Sequence, residues 1–68
     1  MELSVVTKQQ AELRLTNDEL LILNSALNEI CNGIVISEFD TRIGATREDV
    51  TLLLEKIGQI LDAMAIST

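Results

Sequence analysis

Histidine, proline, tryptophan and tyrosine are all missing from this chain of 68 residues, and cysteine and phenylalanine occur once each. Without histidine the commonest general base is absent, and with it every Ser-His or Cys-His dyad. Cys31 stands alone, so neither a zinc site of the usual Cys/His kind nor a disulfide can form within one chain. A lone cysteine is compatible with a reducing interior. Gly33, Gly44 and Gly58 are scattered and match neither a phosphate-binding loop nor a dinucleotide fingerprint. The EF-hand pattern is missing too. No apolar run exceeds four residues, far short of a membrane span. Met1-Glu2-Leu3-Ser4 lacks the basic stretch of a signal peptide, and the chain is expected to be cytoplasmic. No catalytic residue, cofactor or metal ligand is expected, and the chain does not read as an enzyme.

What is present is aliphatic and acidic. Apolar residues make up 47% of the chain, and 11 acids against 5 bases leave a net charge of −6. The apolar share is enough for a core without aromatics. The length allows one domain, over 1–68, near the lower limit for folding alone. A domain this small without a disulfide or metal needs very good helix packing or a partner chain. A homodimer or tetramer is therefore expected. The acidic balance repels phosphate backbones, which makes nucleic acid an unfavoured partner. It suits either plain solubility or a basic protein partner.

The pattern of the chain predicts a small α+β fold: an N-terminal β-hairpin over 1–15, then an antiparallel pair of helices with a short helical turn between them. Leu3 and Val5 alternate with Ser4, and Ala11, Leu13 and Leu15 alternate with Glu12 and Arg14. Lys8-Gln9-Gln10 would form the turn, although it lacks the usual Gly, Asn or Asp. A lone hairpin is marginal in water, so this one should pack on helices or pair with another chain. Thr16 and Glu19 have capping-box spacing, with Leu15 and Leu20 placed as a hydrophobic staple. The helix they start is expected over 16–33, with Leu20, Leu23, Leu27 and Ile30 on one face and Gly33 as its left-handed stop. Residues 34–45 form an apolar connection in which Ile34, Val35 and Ile36 need cover. A helical turn is expected within it, with Ser37 and Asp40 at cap spacing, Glu38 and Arg42 able to pair, and Gly44 as the stop. Thr46 then caps a long helix over 46–66, with Glu48 and Asp49 in its first turn. Val50, Leu53, Ile57, Ile60 and Met64 recur at three-four-three-four spacing and form the expected oligomer seam.

Several residues invite a functional reading. Cys31 lies beside an apolar stripe near a helix C-terminus, where the dipole opposes a thiolate, so it reads as structural. Asn24, Asn28 and Asn32 line one helix face together with Leu21. They form either a solvated flank or a polar patch for a partner chain. Phe39 to Ile57 resembles a helix-turn-helix. Its second helix, however, would present Arg47, Glu48, Asp49, Thr51, Leu52 and Glu55 to DNA, three acids against one arginine.

The run Leu27-Asn28-Glu29-Ile30-Cys31-Asn32-Gly33-Ile34, followed by Glu38-Phe39-Asp40-Thr41-Arg42-Ile43-Gly44-Ala45-Thr46-Arg47-Glu48-Asp49, resembles a core of short bacterial proteins with no established activity. The resemblance covers the middle and later part of the chain and brings no activity with it. Within it Phe39 reads as a core plug, Thr41 and Arg42 as a polar anchor, and Glu38 and Arg42 as candidates for an interaction surface. The function expected is a small acidic homo-oligomeric interaction or regulatory module, of an immunity-like or antitoxin-like kind. The alternative is a helix-turn-helix-like transcriptional regulator.

Overall fold

A computed structural model describes residues 1–67. It shows a small α+β fold: an antiparallel two-stranded hairpin followed by helices. Strands β1 (Glu2–Val6) and β2 (Ala11–Arg14) are joined by a turn that Thr7 organises. The Thr7 hydroxyl accepts from the backbone N–H groups of Gln9 and Gln10, and the Thr7 N–H donates to the Gln10 carbonyl at 2.8 Å. The threonine side chain does the work usually given to Gly, Asn or Asp in a tight turn. The pairing sets Glu2 opposite Arg14, Leu3 opposite Leu13, Val5 opposite Glu12 and Val6 opposite Ala11, with a bulge at Ser4. That one extra residue changes the expected alternation. Val6, not Val5, shares a face with Leu3, because residues directly opposite each other point the same way and the bulge shifts the count by one.

Helix α1 (Asn17–Asn28) begins at the expected capping box. The Glu19 N–H donates to the Thr16 hydroxyl at 3.2 Å, and the Thr16 N–H donates to the Glu19 carboxylate at 3.0 Å. The helix does not run unchanged to Gly33. It widens into a π turn over Glu29–Gly33, closed by the Ile34 N–H donating to the Glu29 carbonyl at 3.0 Å. Gly33 does not adopt the left-handed conformation, so it is not the expected stop. The five-residue hydrogen bond at Ile34 ends the helix instead.

Helix α2 is one short turn, Phe39–Ile43. Its cap is not Ser37. Glu38 precedes it in left-handed conformation at φ 54° and makes no side-chain cap bond. Gly44 ends it at φ 84°, a conformation open to glycine at little steric cost. Helix α3 (Arg47–Ala65) starts at Thr46, whose hydroxyl accepts from the Asp49 N–H at 3.1 Å. At 19 residues it is about 28 Å long. Among the described residues, no helix is long and apolar enough to cross a membrane.

The core sits where the end of the first helical segment meets the start of α3. Cys31, Phe39 and Val50 are buried together, with Leu27, Ile30, Ile36, Ala45 and Leu54 packed around them. Leu20 and Ile57 are buried further along the antiparallel pair that α1 makes with α3. Of the three apolar residues that need cover, Ile36 alone obtains it. Val35 is 97% exposed. The hairpin lies outside this packing, since α1 and α3 contact each other and the π turn but build no comparable contact with either strand. The radius of gyration is 13.6 Å, against about 11 Å for a globule of this length.

Candidate interaction surface

Arg47 organises the polar edge of the core. Its Nη1 donates to the Cys31 carbonyl, one of the acceptors left free where the π turn ends, and its guanidinium lies 4.5 Å from the centroid of the Phe39 ring. A cation over an aromatic face is attracted by the ring's quadrupole. Thr51 closes the arrangement, its hydroxyl donating weakly to the Cys31 sulfur at 3.8 Å. Cys31 is thus a buried free thiol packed in the core. The role expected of Thr41 and Arg42 as a polar anchor falls to Arg47. Thr41, Arg42 and Glu38 are exposed, and no ion pair joins Glu38 to Arg42.

The engagement of Arg47 by Cys31 and Phe39 bears on the helix-turn-helix reading. With Glu48, Thr51 and Leu52, Arg47 frames a shallow open concavity of about 560 Å³, on the face that would meet DNA. The one basic group of that face is already engaged by Cys31 and Phe39, which leaves Glu48, Asp49 and Glu55 as its free charges.

The asparagine row is wet over most of its length. Asn28 and Asn32 are exposed, and the Asn32 amide donates to the Asn28 side-chain oxygen at 3.0 Å. Asn24 is half-buried beside them, and Leu21 is exposed on the same face. Of the expected seam, Val50 and Ile57 are consumed by packing within the chain, whereas Leu53, Ile60 and Met64 remain exposed. These three fall seven and four residues apart along one side of α3, flanking the packed face, with Lys56 and buried Ile57 between Leu53 and Ile60.

On the hairpin, where the alternation places Val5 with Leu3, the apolar face holds Val6 instead. Leu3 and Leu13 pair on it, as do Val6 and Ala11, and all four are exposed. The other face carries Glu2, Arg14 and Glu12 with Val5. The signal that could have found the apolar face is the Val5-Val6 pair. A strand with two consecutive valines after a serine needs a one-residue shift to place Val6 with Leu3. At the base of the hairpin the Met1 ammonium pairs with Glu19. Together with the Thr16 N–H, it holds the Glu19 carboxyl below its ordinary pKa. Among the described residues no group of three Asp, Glu or Cys side chains could hold a metal ion.

The chain matches no family model, no curated protein and no solved structure.

Proposed function

We propose that the chain is a homo-oligomeric interaction module. A dimer or tetramer buries its apolar faces and turns its acidic ones outward to a basic protein partner, as an immunity-like or antitoxin-like protein would. The observation that carries this reading is the surface area. One chain exposes 5574 Å². A compact monomer of 7.5 kDa exposes about 4,200 Å². The excess of roughly 1,300 Å² is larger than the ~800 Å² that each partner contributes to a standard stable complex. Much of the exposed surface is aliphatic: Leu3, Val6, Leu13, Ile22, Leu52, Leu53 and Ile60 are each at least 45% accessible. Isolated apolar residues at a surface are ordinary, but the Leu3, Val6 and Leu13 group on one hairpin face is a clustered one, and such clusters mark contact sites. The net charge of −6 supports the choice of a basic partner by long-range attraction.

Light scattering on the purified chain at micromolar and millimolar concentration tests the first half. A mass of two or four chains is expected, and a single-chain mass throughout would remove the proposal. For the second half, a basic protein retained on the immobilised oligomer should be released by moderate salt. Retention that is insensitive to salt would argue against charge as the recognition element.

A further inference from the structure

The hairpin is the element least supported by its own chain. Both strands are exposed along their whole length, and neither packs on the helices in any comparable way. A two-stranded ribbon is marginal by itself in water and needs a third strand or a packed face. Its two faces are also chemically distinct. One pairs Leu3 with Leu13 and Val6 with Ala11; the other pairs Glu2 with Arg14 and Val5 with Glu12. The division depends on the bulge at Ser4, without which Val6 would move to the charged side. The bulge therefore gathers an apolar face that nothing in the single chain covers.

We infer that the hairpin is an exchange arm: its apolar face packs on the α3 stripe of Leu53, Ile60 and Met64 in a second copy, and the second copy returns the same contact. This rests on the homo-oligomer reading above. Both surfaces belong to one chain, both are open, and within that chain they build no substantial contact. The hairpin face carries no charge of its own, and the charge set between Leu53 and Ile60 on the stripe is that of Lys56, which disfavours a basic protein there. A contact made twice about a two-fold axis is self-complementary and closes. The excess surface of roughly 1,300 Å² per chain is enough for it.

The test combines one substitution pair with one cross-link. Leu3→Thr with Leu13→Thr keeps strand-favouring side chains and removes the two longest groups of the face. Each truncation is expected to weaken association about tenfold, so the pair should weaken it at least a hundredfold by sedimentation equilibrium. Separately, L13C in one tagged copy and I60C in a differently tagged copy are mixed and oxidised. Native Cys31 is buried and out of the way. A disulfide joining the two tags is expected, in both tag arrangements, while Q59C in place of I60C should give none. Should the threonine pair lose its helical signal, the cross-link decides the question alone, and its absence overturns the arm. Threonine variants that associate as tightly as the parent overturn the arm and leave the oligomer standing. A parent chain that stays monomeric at millimolar concentration overturns both.

Discussion

Replacing Phe39 by alanine should remove a large part of this protein's stability. Phe39 is the sole aromatic residue, 8% exposed, and lies in the buried cluster with Cys31 and Val50. Truncating a buried phenylalanine costs about 3–5 kcal/mol, from lost burial and the cavity left behind. Arg47 would also lose the ring under its guanidinium, about 0.5–1 kcal/mol at a solvent-facing site. A chain of this length has roughly 3–10 kcal/mol of total stability, so F39A should lose at least about a third of it. Phe39→Leu keeps most of the volume and should cost about 1–1.5 kcal/mol. Urea titration followed by helical circular dichroism, at one fixed protein concentration, measures both variants. Pairing F39L with Arg47→Met in a double-mutant cycle isolates the cation–ring contact, with a coupling of about 0.5–1 kcal/mol expected. An F39A chain within about 1 kcal/mol of the parent would refute the placement of Phe39 at the centre of the core.

Other consequences follow from single positions. A Cβ at Gly58 would meet nothing within 4 Å, so G58A should stabilise α3 by about 1 kcal/mol and raise the melting temperature by roughly 5–7 °C; a lower melting point would mean that something else occupies that space. Gly44 stands at φ 84°, so G44A should cost about 1–2 kcal/mol in the same assay, with Asn tolerated better than Ala. Thr16→Ala removes the capping box of α1 and should cost about 1 kcal/mol, seen as a lower urea midpoint with an unchanged slope. The folded-state pKa of Glu19 lies below its ordinary value, chiefly through the hydrogen bond from the Met1 ammonium. Its contribution is therefore present above the unfolded-state pKa and fades as pH falls through the lower folded value. Melting curves between pH 7 and pH 2 should converge for the parent and Glu19→Gln at the acid end, and a constant gap would contradict the pairing.

The parts of this fold that could be read from the residues are those governed by local chemistry. Thr16 with Glu19, Thr46 with its first-turn acids, and Gly44 each act within four residues of themselves, and the structure has them in those roles. Phe39 as a core residue was legible because the chain offers no other aromatic. The Ser4 bulge was not, since the alternation of Leu3, Ser4 and Val5 is a perfect strand pattern until the partner strand sets the register. Nor was the π turn, because Gly33 after Asn32 has the composition of an ordinary helix stop. Arg47 looked like a base on an outward face. Its partners, the Cys31 carbonyl and the Phe39 ring, are brought to it only by tertiary packing. The seam spacing on α3 was visible, but spacing alone could not say that Val50 and Ile57 would be taken by the chain itself while Leu53, Ile60 and Met64 were left open.

The central claim is that a second copy completes a fold whose single chain leaves too much aliphatic surface in water. The melting temperature as a function of protein concentration tests it most directly, because only an associating protein has a concentration-dependent midpoint. For a dimer that unfolds to two chains, each tenfold rise in concentration should raise the midpoint by about 5 °C, so a hundredfold range spans about 10 °C. A midpoint that does not move over that range would contradict the claim and make the single chain the complete folding unit.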